Sequence, residues 1–173
     1  MTGAEYIVDC LVKRGATDVF GIPGGVVLEF LYAVEAHKKI EAHLSYHEQA
    51  AGFAAVGYAQ ASGKLGVAYA TRGPGLTNLS TAIGDAYFES LPTLFLTAHD
   101  KPYSKSTERF TQEQEFDTVS YLQPITKYAA RIEQLDDLQS ILEKALSAAT
   151  TGNKGSVFVD VLADVFIAEI PKC

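Results

Sequence analysis

Short apolar runs that recur with helical segments between them constrain this chain more than any other feature. Asp18-Val19-Phe20-Gly21-Ile22 is the first, closed by Pro23-Gly24-Gly25, after which Val27, Leu28, Leu31, Tyr32 and Val34 repeat at helical spacing. Ile40 to Tyr46 is strand-like again, and His47 to Ser62 reads as an Ala- and Gly-rich helix stopped by Gly63. Leu65 to Thr71 is a strand, Gly73-Pro74-Gly75 a tight loop, Leu76 to Phe88 a helix and Pro92 to Ala98 a strand. A polar stretch without periodicity runs from His99 to Thr111. Gln114 to Leu122 then reads as helical, Pro124 to Ile132 as extended, Leu135 to Ala149 as helical and Ser156 to Leu162 as strand. An opening helix precedes them all: Thr2-x-x-Glu5 has capping-box form, and Tyr6, Ile7, Cys10 and Leu11 recur at helical spacing until Gly15. Parallel neighbours need a crossover of helical length, so this alternation predicts a three-layer α/β/α fold with a mainly parallel six-stranded sheet.

In such sheets ligands bind outside the carboxyl ends of the strands, which points to the loops at 23–25, 47–48, 72–75 and 99–114. At 173 residues the chain has the size of one domain, here 1–173. Its 21 acidic against 14 basic residues give a net charge of −7 with no cationic block, which argues against nucleic acid and anionic membrane as partners. With 47% apolar residues it can bury a core without disulfides, and Cys10 and Cys173 have neither metal-ligand spacing nor the density of a disulfide scaffold. No export signal or spanning segment is read at the start or along the chain, so a cytoplasmic location is expected.

Residue types alone leave the candidate site open. Pro23-Gly24-Gly25 and Gly73-Pro74-Gly75 precede helices, as phosphate cradles do, but neither has a dinucleotide or P-loop fingerprint. They read either as tight structural turns or as places where backbone approaches a flat ligand. Glu48 opens a helix of small residues that should be well buried. It is either a solvated helix-start carboxylate or one whose ionisation is set by desolvation against the helix dipole. His37, His43, His47 and His99 have no zinc spacing, so no metal site is expected on this chain. Glu113, Gln114, Glu115 and Asp117 suit a helix start, and Arg72 stands without a second cation.

Four segments read together resemble the N-terminal pyrimidine-binding domain of thiamine diphosphate-dependent enzymes of the acetolactate synthase, pyruvate oxidase and 2-oxo-acid decarboxylase group. They are Phe20-Gly21-Ile22-Pro23-Gly24-Gly25, Tyr46-His47-Glu48-Gln49-Ala50-Ala51, Thr71-Arg72-Gly73-Pro74-Gly75-Leu76-Thr77-Asn78 and Pro124-Ile125-Thr126-Lys127. The resemblance implies that Glu48 hydrogen-bonds N1′ of the aminopyrimidine. The 4′-imino group can then take the thiazolium C2 proton, and the resulting carbanion attacks a 2-oxo acid. It places Pro23, Gly24 and Gly25 along the pyrimidine, with Thr71, Gly73, Pro74 and Asn78 shaping the second loop around it. Gln114 matches the glutamine of a Phe-Gln-Glu motif near the reacting end, although Glu113 replaces the phenylalanine.

The resemblance departs at Val161-Leu162-Ala163-Asp164-Val165, where Ala163 replaces an active-site lysine; this weighs against acetolactate synthesis proper. The family's diphosphate and Mg²⁺ are held by a Gly-Asp-Gly motif of a different domain that this chain lacks. The chain is therefore expected to act as a pyrimidine-binding subunit or domain together with a diphosphate-binding, Mg²⁺-carrying partner chain or domain, within a homo- or hetero-oligomer. The alternative is a dimerising or regulatory domain that keeps the fold without turnover.

Overall fold

The computed structural model describes residues 1–100 and 116–170. Six strands, β1 (Asp18–Gly21), β2 (Glu41–Leu44), β3 (Gly66–Ala70), β4 (Thr93–His99), β5 (Tyr128–Ile132) and β6 (Ser156–Leu162), form one sheet in the order β2-β1-β3-β4-β6-β5. Every pairing is parallel. Strands β3, β4 and β6 are buried along almost their whole length, and so they read as continuous apolar runs rather than alternating ones.

The helices are α1 (Gly3–Lys13), α2 (Leu28–Ala36), α3 (Glu48–Ser62), α4 (Pro74–Phe88), α5 (Thr118–Leu122), α6 (Leu135–Thr150) and α7 (Ala163–Ile167). One face of the sheet packs against α1, α2, α6 and α7 through Ile7, Leu11, Phe30, Leu142 and Phe166. The other packs against α3, α4 and α5 through Ala55, Leu79, Ile83 and Leu122, with Phe95 and Phe158 of the sheet beneath them. This is the three-layer arrangement that the alternation implies.

Because parallel crossovers are right-handed, the direction of each step across the sheet fixes the face its helix covers. The chain leaves β1 toward α2 on the first face and leaves the neighbouring β3 toward α4 on the second. Their loops part at the carboxyl ends and open a crevice there, the usual ligand position of such sheets. A second divergence lies between β4 and β6, which lead toward α5 and α7 on opposite faces.

Helices α3 and α4 lie close together because Gly52 faces α4. A Cβ there would stand 2.7 Å from Cβ of Ala82 and 3.1 Å from Cδ2 of Leu79. The expectation of a well-buried α3 holds for one side only: Ala51, Gly52, Ala55, Val56 and Ala59 are buried, whereas Ala50, Phe53 and Gly57 face solvent. At the N-terminus the capping box forms as the sequence suggests, the Glu5 amide donating to Oγ1 of Thr2 at 3.2 Å and the Thr2 amide to Oε2 of Glu5 at 2.8 Å.

Two local expectations change, and one helix is added. Helix α5 begins at Thr118, where Asp117 caps it by accepting from the Ser120 amide at 3.1 Å. The segment expected to be extended from Pro124 instead starts with a 3-10 turn, Gln123–Ile125, since proline suits a first helical position, and the strand begins at Tyr128. Helix α7 follows β6 without a glycine or proline to announce it. Glu113, Gln114, Glu115 and Cys173 lie outside the described residues.

Candidate functional site at the β1–β3 crevice

Glu48 is the first residue of α3, and the side chain before it fixes the helix start: Nδ1 of His47 accepts from the Gln49 amide at 3.1 Å. An imidazole here fills the role that Ser, Thr, Asp or Asn usually has. That assignment for His47 could not be told from a core or surface histidine in the sequence. The carboxylate of Glu48 lies in the first turn, where the helix dipole favours negative charge.

The loop after β3 turns on Gly73, whose φ of 60° and ψ of −117° suit a residue without Cβ. Pro74 then occupies the first turn of α4, where its missing N–H costs nothing. A Cβ on Gly75 would lie 3.1 Å from Cγ2 of Thr71 and 3.5 Å from Oε1 of Glu48. A Cβ on Gly24, from the loop after β1, would lie 3.0 Å from Cβ of Thr71. The two glycine loops thus meet at Thr71, with the Glu48 carboxylate beside them.

Asn78, in α4, donates from Nδ2 to Oε2 of Glu48 at 2.9 Å. Oε1 accepts no hydrogen bond among the described residues, and the missing side chain of Gly75 keeps the space beside it clear. One oxygen is held and the other lies beside the place of the missing Gly75 side chain.

Of the residues singled out in the sequence, the structure brings together Gly24, Glu48, Thr71 and Asn78, with Gly73 and Pro74 forming the turn that positions them. Pro23 and Gly25 are exposed in the first loop, and nothing lies within 4 Å of a Cβ built on Gly25. Gln114 lies outside the described residues. Arg72, which has no second cation beside it in the sequence, forms an ion pair with Asp100 just beyond β4.

The second divergence, between β4 and β6, is filled by a polar hub built on Asp160. This carboxylate is 2% exposed and accepts from Oγ1 of Thr97 and Oγ1 of Thr118 at 2.8 Å each, and from Nε and Nη2 of Arg131 at 3.2 Å each. Nδ1 of His99 stands 3.3 Å from Oδ1 of Asp160, within reach of its charge. Both ring nitrogens are buried without a hydrogen-bond partner among the described residues. Burial alone would raise the Asp160 carboxyl; the His99 ring, the Arg131 guanidinium and the Thr118 hydroxyl outweigh it and hold the group below its ordinary value. The only sequence signal for this hub is an acidic residue inside the apolar run Ser156–Leu162, which has to meet a cation once buried.

Among the described residues, no group of three or more His, Cys, Asp or Glu side chains is placed to hold a metal ion, and no helix is long and apolar enough to cross a membrane.

Residues 1–121 match the family described as thiamine pyrophosphate enzyme, N-terminal TPP binding domain. The chain is 39% identical over 171 residues to the acetolactate synthase large subunit of Lactococcus lactis subsp. lactis (strain IL1403), covering 99% of this chain and 29% of that protein. It is 41% identical over 170 residues to the acetolactate synthase large subunit of Corynebacterium glutamicum, covering 98% of this chain and 27% of that one. Against the acetolactate synthase isozyme 2 large subunit of Escherichia coli (strain K12) the identity is 37% over 168 residues, 97% of this chain and 30% of that one. The chain spans less than a third of the length of these curated relatives. The family match over the residues that build the crevice, together with these identities, shows that the chain belongs to the thiamine pyrophosphate enzymes and corresponds to their N-terminal TPP-binding domain.

Proposed function

We propose that the chain supplies the pyrimidine half of a thiamine diphosphate site in an enzyme that decarboxylates or carboligates 2-oxo acids, with Glu48 as the residue that activates the cofactor. The observation that carries this reading is the asymmetric Glu48 carboxylate: Oε2 is held by Asn78 at 2.9 Å, and Oε1 is left beside Gly75. When bound, thiamine diphosphate supplies the electron sink for the carbanion formed on loss of carbon dioxide. The protein's share is to bind, orient and move a proton. Gly24, with Pro23 and Gly25, lets the first loop lie against one side of the pyrimidine. Thr71, Gly73 and Pro74 shape the other side, and Glu48 holds or releases a proton at ring nitrogen N1′ through Oε1. Gln114 serves the reacting end.

The diphosphate and its Mg²⁺ are held by a partner chain or domain, because the Gly-Asp-Gly motif that holds them in the family this chain resembles does not occur in this sequence. Ala163, where related synthases carry an active-site lysine, favours a reaction other than acetolactate synthesis proper.

Calorimetry with thiamine diphosphate and Mg²⁺, on this chain alone and then with a diphosphate-binding partner, tests the reading. Binding in the mixture with turnover of a 2-oxo acid is the expected result. In that assembled enzyme Glu48→Gln should lower turnover by about 100- to 10,000-fold, the range supplied by a positioned proton-transfer group. Full activity in that variant would remove Glu48 from the chemistry. A folded complex that binds no cofactor would leave a dimerising or regulatory domain as the better account.

A further inference from the structure

We propose that Asn78 is a positioning residue, rather than a cofactor contact, and that it decides which oxygen of Glu48 carries the proton. The inference rests on the reading of Glu48 given above. Nδ2 of Asn78 donates to Oε2 at 2.9 Å, and an amide N–H cannot accept. A hydrogen on Oε2 would make that oxygen a poorer acceptor and crowd it against the Asn78 N–H, so the bond favours the proton on Oε1. That oxygen borders Gly75 and meets no donor among the described residues.

A free carboxylate rotates about its last torsion and exchanges its two oxygens, because such sp³–sp² torsions are broad and two-fold. The Asn78 bond removes that degeneracy. Its own rigidity comes from α4: Leu76 and Leu79, which flank Thr77 and Asn78, are fully buried. Oγ1 of Thr77 is engaged with the Pro74 carbonyl at 3.1 Å and does not compete for the carboxylate. Asn78 is therefore fixed by the core, and Glu48 is fixed by Asn78.

The test reverses the hydrogen bond. Asn78→Asp keeps the shape of the side chain and removes its donor. In the assembled enzyme this should lower kcat by about 10- to 100-fold, as loss of an orienting partner does at other sites, with KM for the 2-oxo acid unchanged. Exchange of the bound cofactor's C2 proton with deuterated solvent should slow in parallel. In the protein without cofactor, Asn78→Asp sets two carboxylates face to face and should lower the melting temperature by about 2–4 °C.

Adding Glu48→Gln to Asn78→Asp restores the bond with its polarity reversed. The melting temperature should return to the parent value while turnover stays lost with Glu48; this coupling measures the contact, and the slowed C2 exchange at unchanged KM is the readout that a merely structural Asn78 would not move. Asn78→Ala, which removes the donor without adding charge, should reproduce the loss of kcat if the Asp variant folds poorly. Equal melting losses for Asn78→Asp with Glu48 present or replaced, or unchanged kcat and C2 exchange in both Asn78 variants, would overturn the inference. Full activity in Glu48→Gln alone would instead overturn the reading of Glu48 beneath it.

Discussion

Asp160 stays ionised although it is 2% exposed, because Thr97, Thr118 and Arg131 all donate to it and His99 stands beside it. Removing one partner of a buried ion pair leaves the other uncompensated, so Asp160→Asn should cost about 3–5 kcal/mol, read as a fall in the urea midpoint at constant m-value. The same carboxylate makes a pH prediction. Its folded value is depressed, so as the pH falls the unfolded chain binds the proton first. The stability it supplies is then complete above the ordinary carboxyl value of about 3.9 and is lost as the pH drops through the lower folded value. Acid unfolding followed by circular dichroism should show that loss in the parent and a shallower one in Asp160→Asn. A matching acid limb in both proteins would mean that other carboxylates govern it. Glu48 stands in a looser setting, partly buried and tied by a single amide.

Among the elements, the contact between α3 and α4 depends on a missing side chain. Gly52→Val would drive a branched Cβ into Ala82, where even the first carbon stands at 2.7 Å, and overpacking of this kind costs about 1–3 kcal/mol. The thermal midpoint should fall, and cofactor binding in the assembled enzyme should weaken, since Glu48 heads α3 and Asn78 lies on α4. Gly73→Ala should lose about 1–3 kcal/mol of chemical stability for a different reason, a positive φ that a side chain resists.

These elements also show what the sequence reveals. The six strands and the larger helices are legible because buried parallel strands read as apolar runs and their crossovers as helical periods. Helix α7 is not, because its five residues follow β6 directly with no turn residue between them. The turn at Gln123–Ile125 is hidden because the residue pattern around Pro124 fits a strand start as well as a 3-10 turn. At the site, glycines and a helix-start glutamate were visible as types, and only four motifs in order singled them out. The bond from Asn78 to Glu48 joins residues thirty positions apart and is a product of α3 packing on α4.

For the molecule as a whole, the proposed function makes stability a matter of mass action. Thiamine diphosphate with Mg²⁺ should leave the melting temperature of this chain unchanged and raise that of its complex with a diphosphate-binding partner, which it stabilises by about 2.7 kcal/mol at a hundredfold excess over Kd. Thermal shift in both settings checks this, and an equal rise in the two would place the whole cofactor site on this chain. The sheet itself is not uniformly joined. Strands β4 and β6 pair from Thr93 and Ser156 through His99 and Leu162, whereas β1 meets β3 only at Phe20–Ala68 and Gly21–Tyr69. The β1–β2 ribbon is thus the part of the sheet with least to hold it, and amide hydrogen exchange should find it opening at lower free energy than the β4–β6 centre. The two glycine loops meet above that narrow join, so a ligand gripped between them would act as a staple, slowing the exchange of β1 amides it never touches.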